Sequence, residues 1–389
     1  MRAILWNLLV VFAFIETKYM KILPKARILV TRFPYESRFG GEEVHTLRLM
    51  EELDDRGHEA FFLGSCPVLL EEFKERKFVA KWANLAKPPV SKGWLILFTL
   101  LSPFLFVKAG MMLGRAKKKW GIDTVYMLSF GEKLLMTPWA KFFKMKVLWL
   151  EHARIGNWLT KNPWRHVYKR WSRGVTTVVT SRAMVKHVAP FAKKIVAIPC
   201  AVMLDEARPL PKEIVDFLEG GFSVGSVARL TADKGVDIAV HLVDSKPDVR
   251  LILVGDGPLR KDLEKRAVGG QIMLVSSLPR GQLTSLYKAL DLFVLASTEF
   301  DPFGMVAAEA MSVGTPVLMT SKCGISEDLH NDREAMIVEP KRSELDKALK
   351  KVLKHPALLR ELGEHGQGFV EKHYRLETMV ARFEALLTN

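Results

Sequence analysis

A short apolar run that ends in a polar, glycine-containing loop and passes into a helical pattern opens this chain's main body. The same arrangement begins again at Phe222. In the first series Arg27–Thr31 (RILVT) reads as a strand and Pro34–Gly41 as its loop. Val44, Leu47, Met50 and Leu53 then mark one helical face, closed by Arg56-Gly57, and Glu59–Leu63 reads as the next strand. In the second series Phe222–Val227 is the strand, Arg229–Gly235 the loop, Val236–Asp244 the helix and Val249–Val254 the following strand. Strands that alternate with helices belong to a parallel sheet covered on both faces. A chain of 389 residues is also too long for one ordinary core. The expectation is therefore α/β, with two Rossmann-like domains in succession.

Further strands are expected at Thr124–Leu128, Lys146–Leu150, Val175–Thr180 and Lys194–Pro199 in the first half. Those of the second half are Gln271–Val275, Leu292–Ala296, Thr315–Thr320 and Ala335–Val338, with a helix at Gly281–Ala289. Asp, Glu and Pro cluster around Met203–Lys212, which reads as a linker. The expected divisions are an apolar extension at 1–24, an N-terminal domain at 25–204, a C-terminal domain at 205–372 and a final segment at 373–389. That segment's helix, Leu376–Leu387, has apolar residues spaced to pack back on one of the halves.

The charge is uneven. Residues 1–200 carry 34 Lys/Arg against 15 Asp/Glu, whereas residues 201–389 carry 24 against 28. Basic residues are densest from Arg115 to Arg182. This points to an anionic partner for the first half, such as membrane headgroups or an acidic acceptor. Residues 101–200 lack an aromatic RNA-binding motif and a helix-turn-helix, so no nucleic-acid partner is expected. Trp94–Leu113 is apolar, flanked by Lys92 and by Arg115–Lys119, and interrupted by Pro103. It reads either as an interfacial helix or as a buried helix of the first domain, and not as a span. Ala3–Ile15 is too short to span and lacks a cleavage site. It reads as an extra helix, an interfacial anchor, or the result of a start that belongs at Met20. Cys66, Cys200 and Cys323 form no CxxC pair, which suits a reducing, cytoplasmic setting, and the basic first half adds the expectation of a peripheral place on the cytoplasmic membrane face. The histidines show no ligand spacing, so no metal site is expected.

Chemistry concentrates in a few places. Glu299-Phe-Asp-Pro-Phe-Gly-Met-Val-Ala-Ala-Glu309 sets acids on both sides of a turn that opens a short apolar helix. The free N–H groups of a helix start attract phosphate, and the carboxylates accept hydrogen bonds from sugar hydroxyls. Arg229 and Lys234, in the loop after a buried strand, can grip a diphosphate, one as a fork and the other as a point charge. Gly40-Gly41 permits close backbone approach or simply makes a turn. His152 stands just past a strand end, as a polar group at a cleft or as a satisfied structural histidine.

These pieces together resemble the family 4 glycosyltransferases of the GT-B fold. The resemblance rests on Gly40-Gly41-Glu-Glu-Val-His45, Val227-Ala-Arg-Leu with Lys234-Gly-Val-Asp237, Leu251-Ile-Leu-Val-Gly-Asp-Gly-Pro258, and Ser297 through Glu309 with Gly314-Thr-Pro-Val317. It implies a fold with two Rossmann-like domains facing each other across a cleft. The implied activity is retaining transfer of a hexose-type sugar from a nucleotide-diphosphate sugar to an acceptor hydroxyl. A glycan or lipid-linked acceptor in envelope or polysaccharide synthesis is the implied partner, with no metal or other cofactor. The catalytic set it implies is His152, Asp301, Arg229 and Lys234. Arg229 and Lys234 hold the diphosphate, Glu309 the ribose, and Asp301 the donor sugar. Phe303, Gly304, Met305 and Val306 contact sugar and phosphate, and Gly40 and Gly41 approach the phosphates from the other domain. His152 faces sugar or acceptor, and Leu278 lies where the base is seated. Asp301 stands where the family usually has Glu, and Pro199-Cys-Ala-Val-Met203 departs from its Pro-Asn-Gly-Val-Asp. An epimerase or phosphorylase on the same fold, or a non-catalytic binding protein, are the rival readings.

Overall fold

The computed structural model describes residues 25–34, 40–152, 156–244 and 246–388. The extension 1–24, with Ala3–Ile15 and Met20, lies outside the described residues, as do residues 35–39 of the first loop.

Two parallel sheets are present. The first runs in the order β3-β2-β1-β4-β5-β6-β7, built from β1 (Arg27–Arg32), β2 (Glu59–Gly64), β3 (Val79–Trp82), β4 (Thr124–Met127), β5 (Lys146–Glu151), β6 (Thr176–Val179) and β7 (Ile195–Ala197). The second runs β10-β9-β8-β11-β12-β13. Its strands are β8 (Phe222–Val227), β9 (Val249–Val254), β10 (Ile272–Val275), β11 (Leu292–Leu295), β12 (Val317–Thr320) and β13 (Met336–Val338). Strand order reverses between β1 and β4 in one sheet and between β8 and β11 in the other. A crevice opens at such a reversal, outside the carboxyl ends of the strands.

Each sheet is covered on both faces. In the first domain α1 (Gly41–Asp55) packs Leu47, Met50 and Leu53 on one face. The other face takes α2 (Lys92–Trp120), α3 (Phe130–Leu135) and α4 (Thr137–Phe142), with Phe98, Leu105, Leu113, Phe130 and Trp149 buried together. In the second domain α5 (Met305–Ser312) and α6 (Pro356–His373) bury Ala307, Met311 and Val370. The last helix, α7 (Leu376–Thr388), returns to the first domain. There Met379, Val380 and Phe383 complete the α1 cluster, and Arg56 pairs with Glu384 at 2.8 Å. Where the chain passes between domains, Val202 N–H donates to the Tyr374 carbonyl at 2.9 Å.

Three sequence expectations change. Helix α2 is continuous from Lys92 to Trp120, so Pro103 does not interrupt it. The Thr99 carbonyl, which Pro103 has no N–H to serve, accepts instead from Ser102 Oγ at 2.8 Å. The helix after the second-domain loop is α-helical only over Val236–Val240 and tightens to a 3-10 turn at His241–Val243. The edge strand β3 was not anticipated. It is short, and Val79, Lys81 and Trp82 are exposed, so it carries no alternating apolar signal.

Candidate functional site

The reversal points face one another across a cavity of about 630 Å³, and its lining comes from both domains. Gly40, Gly41, Glu42, His152 and Thr180 come from the first domain; Arg229, Lys234, Asp301, Phe303 and Gly304 come from the second. A smaller cavity of about 310 Å³ shares Gly40, Gly41, Met305 and Val306 with it and adds Arg48, Met203, Arg280 and Glu309.

The second-domain wall is held by backbone geometry. Arg229 and Lys234 leave the end of β8, and the acidic segment leaves the end of β11, the two strands that flank the reversal. The two loops are stitched by Thr298 N–H to the Asp233 carbonyl at 3.0 Å and by Thr298 Oγ1 to the Ala232 carbonyl at 2.8 Å. Gly235 sits at φ +62°, and a Cβ there would lie 1.9 Å from the Ala296 carbonyl, so only glycine lets the loops meet. Lys234 Nζ thereby reaches Asp301 Oδ2 at 2.7 Å, with both side chains largely buried. Burial alone would raise the Asp233 carboxyl. The Thr231 hydroxyl, Lys234 and Arg229 outweigh that and hold it below its ordinary value. Arg229 is exposed to the cavity, which leaves a cation facing open space.

Gly304, at φ +92°, precedes α5 and turns the chain so that the helix start points into the cavity beside Asp301. Glu309, one turn further on, lines the smaller cavity and accepts from Tyr287 OH at 2.9 Å. Burial raises its pKa, opposed by that hydrogen bond and by Arg280. Arg280 is itself fixed by Asp205 at 3.1 Å and by the Met203 carbonyl at 2.8 Å.

The first-domain wall is more ionic than the sequence suggested. His152 Nε2 lies 2.9 Å from Glu42 Oε2. Arg32 contacts Glu42 at 2.9 Å and also pairs with Glu43. Burial would raise the Glu42 carboxyl, but His152 and Arg32 outweigh it and the net shift is downward. His45 is the opposite case: burial, reinforced by His152, lowers it to about 4. Beneath, Glu132 accepts from the Leu128, Ser129 and Phe33 N–H groups and from the Thr31 hydroxyl, at 2.8–3.0 Å. It thereby ties the ends of β1 and β4 together.

The cavities bring together all but one of the residues singled out. Leu278 lines neither and is half-buried against the second-domain core. Glu42 and Arg280 went unnoticed. The acid pair inside Gly-Gly-Glu-Glu was a signal for the former, whereas Arg280 acts through a linker partner 75 residues away. Among the described residues no group of three or more His, Cys, Asp or Glu is arranged to hold a metal ion.

Residues 212–369 match the family described as Glycosyl transferases group 1, and residues 39–206 match Glycosyltransferase Family 4. The chain is 26% identical over 245 residues to the 2-deoxystreptamine glucosyltransferase of Streptomyces kanamyceticus, covering 56% of this chain and 63% of that protein. It is 33% identical over 108 residues to the Arabidopsis thaliana sulfoquinovosyl transferase SQD2, covering 28% of this chain and 21% of that one. The matched stretch thus spans less than two thirds of either relative. Among solved structures, a glycosyltransferase from Rickettsia africae superimposes with a TM-score of 0.76 at 19% identity, covering 94% of this chain and all of that one. Anabaena HepE in complex with UDP also gives 0.76, at 17% identity over 93% of this chain and 99% of its own. These likenesses show the GT-B fold: two Rossmann-like domains about a cleft.

Proposed function

We propose that this chain, which belongs to the group 1 glycosyltransferases, moves a hexose-type sugar from a nucleotide-diphosphate sugar to an acceptor hydroxyl with retention at the anomeric carbon. The acceptor is a glycan or a lipid-linked sugar, met at the cytoplasmic face of a membrane in envelope or polysaccharide synthesis. The observation that carries the reading is the convergence of Arg229, Lys234, Asp301 and the start of α5 on one cavity. Glu309 stands in the adjoining space.

Breaking the anomeric C–O bond builds negative charge on the leaving diphosphate. Arg229, Lys234 and the N–H groups at the start of α5 face the place where that charge develops, and such stabilisation is usually the largest single contribution to catalysis of this kind. Two cations and a helix start supply this stabilisation without a metal. Asp301 accepts from hydroxyls of the transferred sugar while keeping Lys234 aimed at the cavity. The shorter Asp in place of Glu is offset by that pairing, which anchors its carboxylate at the wall. His152, oriented by Glu42, faces the sugar or acceptor from the opposite domain. The acceptor hydroxyl attacks from the face that the diphosphate leaves, and a departing phosphate oxygen takes its proton. HepE has been crystallised with UDP-glucose, which supports a nucleotide-sugar donor here and leaves the base open.

The test is product analysis against a panel of UDP-, GDP- and ADP-sugars with wild-type protein and Glu309→Ala. One donor should be consumed, and Glu309→Ala should lose donor binding by at least about tenfold, as expected for removing a buried hydrogen-bonding carboxylate. Activity should survive a chelator. Strict dependence on added manganese would overturn the metal-free step. Conversion of the donor to its epimer without acceptor would overturn the transfer itself.

A further inference from the structure

Helix α2 carries a face that the domain does not use. Phe98, Leu105, Ala109, Leu113 and Ala116 are buried in the first-domain core. On the other side Ile96, Leu97, Leu100, Leu101, Phe104, Val107 and Met111 are exposed, Leu100 by 73% and Ile96 and Phe104 by 65% each. At ~100° per residue these seven fall within an arc of about 140°. Arg115, Lys118 and Lys119, all exposed, continue the same arc through the last turns. One helix face is therefore apolar for its first part and cationic at its end.

The surroundings extend both halves. Phe142 of α4 is 72% exposed, and its ring neighbour Trp139 ties α4 to α2, packing on Phe106 at 5.0 Å and donating to the Phe106 carbonyl at 2.7 Å. Lys141 and Lys144 are exposed beside it. The cationic end borders a cavity of about 110 Å³ lined by Leu63, Lys81, Met112, Arg115, Lys119 and Trp120. From Arg76 to Ile122 the chain has ten Lys/Arg and no Asp or Glu.

We propose that this face of α2, with Phe142, seats the protein in one leaflet of an anionic bilayer, the apolar turns among the acyl chains and the lysines among the headgroup phosphates. This deepens the membrane-surface reading given above by naming the surface, and it does not depend on the donor chemistry. Length and hydropathy alone would let Lys92–Trp120 cross a membrane. The buried side excludes that, since a crossing helix would have to leave the core it completes. Charge complementarity selects the occupant. A second copy would bring two faces without a single carboxylate together, whereas anionic lipid neutralises each lysine near the surface. An apolar patch of this extent on a soluble surface marks a contact site.

The experiment is flotation of the full-length protein with vesicles of phosphatidylcholine, alone or mixed with phosphatidylglycerol, alongside thermal shift with UDP, GDP and ADP. Wild-type protein is expected to float with the mixed vesicles and to be released by salt. A Leu100→Ser, Phe104→Ser, Val107→Ser variant should lose the bound fraction about tenfold or more. Lys118→Glu with Lys119→Glu, which leaves the apolar face intact, should lose the preference for anionic vesicles. Absence of wild-type flotation, undiminished flotation of the serine variant, or a wild-type dimer that the serine variant dissolves would each overturn the proposal. A missing shift with all three nucleotides in every protein would strike at the donor reading and leave docking standing.

Discussion

His45 and Glu309 show how the same physical cause acts on two charges of opposite sign. Burial disfavours the charged form of both, so the imidazole is held neutral down to about 4 while the carboxyl is raised. For His45 the sign of the pH effect is fixed. The unfolded chain binds a proton near the ordinary 6.5 and the folded chain does not until about 4, so stability falls as pH drops through that window. The loss is on the order of 3 kcal/mol if nothing relaxes. Urea unfolding at pH 7 and at pH 4.5 should show this drop in the wild type and a smaller drop in His45→Leu. At this scale the sequence was partly readable. Arg229, Lys234 and Asp301 follow strand ends and Glu309 lies in the helix after one, and their roles became readable through the family pattern that they match. Those of Glu42 and Arg280 did not, because their meaning lies in partners, His152 and Asp205, that are distant in the chain.

Loops and strand ends decide whether those residues meet. The Arg229–Gly235 loop is pressed against the end of β11, and glycine at 235 is what allows the approach. Gly235→Ala adds both a positive-φ penalty and a clash with backbone, neither of which a side-chain rotation relieves. It should cost at least about 2 kcal/mol in thermal unfolding and shift Lys234 away from Asp301. Titration of this variant with the nucleotide diphosphate that the donor panel selects should show weakened binding even below its unfolding temperature. Apart from the exposed edge strand β3, strand positions were legible to within a residue or two, since buried parallel strands are continuous apolar runs bounded by glycine and polar residues. Pro103 was misleading for a local reason: a hydroxyl one residue earlier serves the carbonyl that proline leaves unpaired. The exposure of half of α2 could not be read from an apolar segment either, because hydropathy does not say which side the domain covers.

At the scale of the whole molecule the last helix returns to the first domain. Helix α7 leaves the second domain and closes the core of the first, with Phe383 against Tyr126 and His45. Phe383→Ala should lose about 3 kcal/mol in urea unfolding, as a large buried aromatic truncated to a methyl does, and should expose the C-terminal segment to protease before either domain unfolds. The two passages between domains lie side by side, joined from Val202 to Tyr374. Paired in this way they are expected to act as one hinge line rather than as a single string. Twisting or sliding one domain past the other would shear that bond, whereas swinging about the line through both passages would not. Opening and closing of the cavity is then expected to be mainly a rotation about that line, which also parts Arg182 from Asp328 and Lys186 from Glu327. A single distance between a label on each domain, measured with and without nucleotide, should therefore follow the whole movement.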